Sequence, residues 1–248
     1  MTEAEKPWSF IITMAGLGSR FRNAGFDCPK YMIEVRGKTL FEWSMLGLMD
    51  LQRPGDRFVF VARKGDDARN FITHRAEKLG IQDSQVVEID GMTDGQATTA
   101  MLALPHLDAN NPIAIFNIDT GLKPGVFKRS DALGNGWIPC FRAPGNAWSF
   151  CRIDVNSRVV EVREKARISD FATIGLYWFD SAKRYAETYA RYYGVAGREE
   201  KGERYVAPIY NQIISDSGWV SWSEIDFSAV IPLGTPDEVL RFETMTRD

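Results

Sequence analysis

Apolar and polar positions follow two periods along the first half of the chain. Short contiguous apolar runs at 9–14, 57–62, 85–89 and 113–117 read as strands covered on both faces, because a strand with one wet face would alternate. Helical spacing separates them. Thr39, Leu40, Phe41 and Glu42 make a capping-box pattern that opens a helix to about Met49. Residues 66–79 read as a helix closed by Gly80, and a third is expected over 97–104. Strands and helices alternating at this spacing predict βα units, with a mainly parallel sheet between helical layers.

From Gly136 onward β-prone runs follow one another directly, at 137–142, 149–154 and 158–163, with Asn156-Ser157 marking a hairpin turn. A helix is expected over 180–193. It is followed by a charged, glycine-bearing loop at 194–202, suited to movement. Thr235, Pro236, Asp237 and Glu238 open a last helix, with proline at its first position. No repeat, low-complexity tract or long linker interrupts the 248 residues, and 44% hydrophobic content suffices for a sizeable core. The expectation is one α/β domain of Rossmann-like, mixed but mainly parallel architecture. Residues of about 1–135 would form a nucleotide-binding half and those of about 136–248 a β-rich acceptor half.

A net charge of -3 argues against a general nucleic-acid binder, so positive charge must act locally. Cys28, Cys140 and Cys151 are odd in number and widely spaced, which suggests neither a disulfide framework nor a thiolate metal site and fits a reducing cytoplasm. The acidic, polar start and the short apolar run behind it resemble neither a signal peptide nor a membrane span. Two histidines, His74 and His106, leave little room for Ser-His-Asp chemistry or histidine-rich metal sites.

The densest chemical signal follows the first strand, where the apolar run breaks into Ala15-Gly16-Leu17-Gly18-Ser19-Arg20-Phe21 and later reaches Pro29-Lys30. Glycines at 16 and 18 let bare N–H groups approach an anion, and Arg20 and Lys30 flank it with positive charge. The implied ligand is a nucleotide polyphosphate. A dinucleotide fingerprint would need a small residue in place of Phe21, and a P-loop would need Gly-Lys-Ser/Thr. Gly-x-Gly alone is equally a plain turn; Arg20 and Pro29-Lys30 shift the balance.

With these residues the chain resembles the sugar nucleotidylyltransferases, which join a nucleoside triphosphate to a sugar 1-phosphate. Gly16, Gly18, Arg20, Pro29 and Lys30 match the family's opening motif; Gly37-Lys38-Thr39-Leu40 and Gly234-Thr235-Pro236-Asp237 resemble later ones. The resemblance spans nearly the whole chain. It implies that Arg20 and Lys30 hold the triphosphate and stabilise leaving pyrophosphate, with Ala15, Gly16 and Gly18 against the nucleotide. Gly95 and Gln96, at a helix opening able to offer N–H and amide groups to a base edge, match the base-recognition segment.

Asp119 ends the Asn117-x-Asp119 strand terminus, where open α/β sheets bind ligands, and matches the family's Mg²⁺-binding Asp; a polar pair capping a turn explains the same letters. Glu164-Lys165 resembles a Glu-Lys pair in which Lys contacts the acceptor phosphate and Glu the sugar, although Ala166 replaces the usual proline. An exposed ion pair remains the alternative there. Gly175, in a Gly-x-Tyr-x-Phe pattern over 172–179, and Glu203, in a Glu-x-Tyr helix segment, are implied on the acceptor side. One departure concerns the metal: the second Asp of many members falls on Pro232 here, and Asp226 in Glu224-Ile225-Asp226 is the nearest substitute.

The resemblance thus implies a Mg²⁺-dependent cytoplasmic nucleotidylyltransferase for surface-glycan precursors. Pyrimidine triphosphates are favoured as donors and a sugar 1-phosphate or similar small phosphate is the acceptor, with neither nucleic acid nor membrane as partner. A metal-dependent glycosyltransferase of related fold and a non-catalytic nucleotide-binding regulator are the rival readings.

Overall fold

The structure, a computed structural model, describes residues 6–65 and 67–245. β1 (Ser9–Thr13) leads through a loop into α1 (Ser19–Asn23), and a small ribbon of β2 (Glu34–Val35) and β3 (Lys38–Thr39) precedes α2 (Leu40–Leu46). β4 (Arg57–Arg63), α3 (Ala68–Lys78), β5 (Ser84–Ile89), α4 (Gln96–Met101) and β6 (Ile113–Asn117) complete the alternating half. The second half contributes β7 (Thr120–Leu122), β8 (Gly136–Arg142), β9 (Ser149–Ile153), β10 (Val159–Glu164), β11 (Phe171–Thr173) and β12 (Leu176–Phe179). After these come α5 (Ala182–Tyr193), α6 (Tyr210–Ser215), β13 (Val220–Glu224), β14 (Val230–Pro232) and α7 (Pro236–Thr244).

The main sheet runs β10-β9-β11-β8-β12-β6-β1-β4-β5, with β13 also paired to β8. It is parallel from β6 through β1 and β4 to β5, and antiparallel from β12 outward to β10. The contiguous apolar runs are explained by burial on both faces. Phe10 and Ile12 point into a core shared with Phe41 and Met45 of α2 and Ile72 of α3, while Ile11 joins Ala97 and Ala100 of α4 and Tyr185 of α5 on the other side. Alternation is lost because each face is equally apolar.

Local signals set the helix ends. Thr39 and Glu42 form both arms of the capping box on α2, and Thr235 caps α7 with Pro236 behind it. The helix expected over 66–79 is α3, which starts at Ala68; Asp66, its expected first residue, lies outside the described residues. The stretch 172–179 that holds the Gly-x-Tyr-x-Phe pattern is divided between two strands, because Gly175 turns at φ 88° between β11 and β12. No described helix is long and apolar enough to cross a membrane.

One buried carboxylate locks the entry side of the sheet. Asp56 accepts the Trp8 N–H at 2.7 Å and the Arg53 N–H at 2.7 Å, and it pairs with the Arg129 guanidinium. Its side chain is fully buried, so removing it strands a desolvated arginine. Asp56→Ala is expected to lower unfolding free energy by about 3–5 kcal/mol, read from urea denaturation.

Candidate active site

The loop after β1 is shaped by one left-handed residue. Gly18 has φ 61° and ψ 31°, and its carbonyl accepts the N–H groups of Phe21 and Arg22. A Cβ at Gly18 would lie 3.5 Å from the Lys30 side chain, whereas Gly16 faces open space. Phe21 is buried in a third apolar cluster with Leu40, Val239 and Phe242, packed edge-on against Phe26. The benzyl group that argued against a dinucleotide site therefore anchors the loop. Lys30 stands on a single 3-10 turn after Pro29, and its Nζ donates to Asp119 Oδ2 at 2.7 Å.

This contact places the glycine loop and the end of β6 on one cavity of about 810 Å³. Ala15, Gly16, Gly18, Arg20, Lys30, Gly95, Gln96, Asp119, Glu164, Gly175 and Glu203 all line it. Lys165 and Asp226 do not. Among the described residues, its lining carries the cations Arg20 and Lys30 and the acids Asp94, Asp119, Glu164, Glu203 and Glu238. Positive charge is thus confined to the glycine-loop end.

At the base segment, Gln96 Nε2 donates to the Thr13 hydroxyl at 3.2 Å, which ties α4 to the tip of β1. Gly95 has φ 140°, accessible without strain only to glycine. Gly175 lines the cavity and also makes room for an amide, because a Cβ there would strike Asn117 Nδ2 at 2.3 Å. Asn117 Oδ1 is buried without a hydrogen-bond partner.

At the opposite end, Glu164 accepts a hydrogen bond from Ser149 Oγ, and burial holds its carboxyl above the usual range against the opposing pull of Ser149 and Lys165. Glu203 accepts from the Tyr205 hydroxyl, which itself accepts from Lys165 Nζ at 2.5 Å. The Lys165 ammonium thus lies over the Tyr205 ring, 4.5 Å from its centroid, one side chain away from the cavity. Glu203 is not on a helix as expected. It lies in a tight bridge with Glu200, and helical structure starts only at Ala207.

Asp226 serves a local purpose. It caps the turn Phe227–Ala229 by accepting the Ser228 N–H at 2.8 Å, and that bond holds its carboxyl below the usual range. The residue that approaches Asp119 is Glu238. Its Oε2 accepts the Gly234 N–H at 2.9 Å, and the point a Cβ on Gly234 would occupy is 3.5 Å from that oxygen and 3.8 Å from Asp119 Oδ2. The backbone explains the proximity: β14 pairs with β7, and the Leu233 N–H donates to the Asp119 carbonyl at 2.9 Å. Glu238 was visible in the sequence only as the third residue of a helix cap, Asn117, Tyr177 and Tyr205 only as companions of Asp119, Gly175 and Glu203 in their motifs, and no motif contained the lining residue Trp148.

A hard cation such as Mg²⁺ takes oxygen ligands and is commonly held by one or two carboxylates plus substrate phosphates. Among the described residues, no group of three or more His, Cys, Asp or Glu is placed to hold a metal. Asp119, Glu238 and the unpartnered Asn117 oxygen form an all-oxygen set that fits a cation arriving with phosphates.

A cation-flanked glycine loop, a strand-end carboxylate and a separate acidic, aromatic end define an enzyme class that holds a polyanion against a second small substrate. A solved Vibrio cholerae RC9 structure, described as a nucleoside-diphosphate-sugar pyrophosphorylase, shares 34% identity over 95% of this chain and 100% of its own, with a TM-score of 0.89. The chain belongs to the sugar nucleotidylyltransferase family. At the level of fold alone it also matches the inositol-1-phosphate CTP transferase from T. maritima, with 17% identity, 93% and 90% coverage and a TM-score of 0.74. A Bacillus anthracis structure described as a glucose-1-phosphate thymidylyltransferase gives 16%, 97% and 97%, and 0.75. No protein-family model and no curated protein matches the sequence.

The raised Glu164 carboxyl predicts a pH signature. The folded state binds this proton more tightly than the unfolded chain, so the residue's contribution to stability falls as pH rises from the ordinary carboxyl range through its raised value. Glu164→Gln removes that loss. Its stability relative to wild type is expected to increase with pH across this window, measured by denaturant midpoints at acid and neutral pH.

Proposed function

We propose that the protein is a Mg²⁺-dependent nucleotidylyltransferase that transfers a nucleotidyl group from a nucleoside triphosphate, a pyrimidine one by preference, to a sugar 1-phosphate and releases pyrophosphate. The observation that carries this reading is the Lys30–Asp119 contact, which closes the glycine loop onto the strand-end carboxylate within one cavity. An acceptor phosphate oxygen attacks the α-phosphorus. The bond from that phosphorus to the α,β-bridging oxygen breaks, and its electron pair leaves with pyrophosphate. The acceptor phosphate is already ionised near neutral pH, so no general base is needed and no proton moves.

What the chain supplies is alignment and charge. The backbone of 15–18, with Arg20 and Lys30, would hold the triphosphate and the pyrophosphate that departs. Gly95 and Gln96 would meet the base, and Glu164 and Glu203 the acceptor hydroxyls. Lys165 would reach the acceptor phosphate by leaving Tyr205. Asp119, with Glu238 and the Asn117 oxygen, would hold Mg²⁺, which when bound offsets charge on the phosphates. A role in surface-glycan precursor synthesis follows from the activity. The glycine loop beside Asp119 favours making a nucleotide sugar over consuming one as a glycosyl donor.

A thermal-shift screen of nucleoside triphosphates with Mg²⁺ against sugar phosphates identifies the pair, because a ligand of the folded state raises the melting temperature with occupancy. With that pair, Lys30→Ala and Asp119→Ala are expected to fold normally and lose about 10²–10³ in pyrophosphate release. Full activity in either sinks the assignment. Glu238→Gln keeps an oxygen for the Gly234 N–H while removing charge, and it should raise the Mg²⁺ requirement about tenfold. Asp226→Asn should leave that requirement unchanged.

A further inference from the structure

The segment that brings Glu203 and Tyr205 to the acceptor end is fastened to the base segment by the residue between them. The Arg204 N–H donates to the Asp94 carbonyl at 2.7 Å, and the Ala97 N–H donates to the Arg204 carbonyl at 3.0 Å. These bonds straddle Gly95. A Cβ on Gly95 would lie 2.4, 2.6 and 2.9 Å from the O, N and C atoms of Arg204, so the two backbones lie directly on one another.

The side chain strengthens the same junction. Arg204 Nε is 3.3 Å from the Asp94 carboxylate, Nη2 donates to Glu199 Oε1 at 3.2 Å, and Nη1 donates to the Tyr189 hydroxyl at 3.0 Å. That hydroxyl shares a 2.7 Å hydrogen bond with Thr98 of α4, and the Tyr193 hydroxyl donates to the Tyr205 carbonyl at 2.6 Å. Residues 203 and 205 therefore face one substrate site while residue 204 is bonded to the other. The backbone bonds give stiffness. The ion pairs are partly open to solvent, so their contribution is modest and weakens with salt.

We propose that Arg204 is a positioning residue that couples the two substrate sites, so that a nucleotide bound at Gly95 and Gln96 orders the acceptor segment 199–205. This rests on the nucleotidyltransferase reading of the cavity. A base settled against 95–96 immobilises residues 94–97, and the bonds to Arg204 pass that restraint to Glu203 and Tyr205. An acceptor arriving next meets an ordered segment and loses less conformational entropy on binding. By linkage, the acceptor strengthens nucleotide binding by the same factor.

Hydrogen exchange read by mass spectrometry tests the coupling with CTP, UTP, dTTP, GTP and ATP, each with Mg²⁺. In the wild-type protein, a triphosphate that slows exchange over 15–20 is expected to slow it about tenfold over 199–205 as well. Arg204→Met retains a stem beside Tyr189 and Tyr193. It should leave protection over 15–20 intact and reduce the gain over 199–205 by about threefold or more, with Arg204→Lys recovering part of it. Should Arg204→Met not fold, Glu199→Gln and a salt series on the wild-type protein read the same loss. Protection over 15–20 without any change over 199–205, or an undiminished gain in these variants, overturns the coupling alone. Protection of neither segment by any triphosphate overturns the nucleotidyltransferase reading with it.

Discussion

The register between β1 and β6 is the constraint on which the site depends. Thr13 lies opposite Asn117 in a parallel pair, so both strands end at the same level and their outgoing loops leave the sheet side by side. Lys30 can then reach Asp119. β6 also pairs with β12 on its other edge, where Leu176 opposes Phe116, and this sets Gly175 beside the Asn117 amide. A slip of one residue in β1–β6 would exchange the faces of β6 and carry Asn117 away from the cavity. The two burial faces oppose such a slip, because each strand position is matched to its own core.

The sequence disclosed what local chemistry dictates. Apolar runs marked the strands, Thr39 with Glu42 and Thr235 with Pro236 marked helix starts, and the glycine loop with Arg20 and Lys30 marked a place for phosphate. What it concealed came from long-range pairing. Glu238 reads as an ordinary helix cap until β14 joins β7 and sets it near Asp119, and Asp226, the nearest substitute for the Asp replaced by Pro232, is absorbed by its own turn. Gly175 was implied on the acceptor side by its motif, and its neighbour Asn117 is why it must be glycine. Lys165 was placed at the right strand end. Its positive φ of 51° and the Tyr205 hydroxyl then take the ammonium one side chain away from the cavity, an outcome that the letters Glu-Lys cannot encode.

The two ends of the cavity are built on different principles. The glycine-loop end presents backbone and fixed cations, whereas the far end is a relay of hydroxyls and carboxylates: Ser149 to Glu164, Lys165 to Tyr205, and Tyr205 to Glu203. On the proposed function, such a relay would offer a hydroxyl-bearing ligand hydrogen bonds that exchange for its own. The glycine-loop end lies on the parallel core of the sheet and the far end on the antiparallel extension.

The Lys30–Asp119 pair also has a consequence in the arithmetic of charge. In the protein alone each side chain is the other's counterion. An anion that arrives by itself and takes the ammonium leaves a carboxylate exposed to like charge, and a cation that arrives by itself leaves the ammonium without its partner. A ligand carrying both signs, a polyphosphate with its own cation, replaces each partner at once. On the proposed function, the contact would therefore favour the ion-paired ligand over free phosphate, the simplest competitor for a cationic loop.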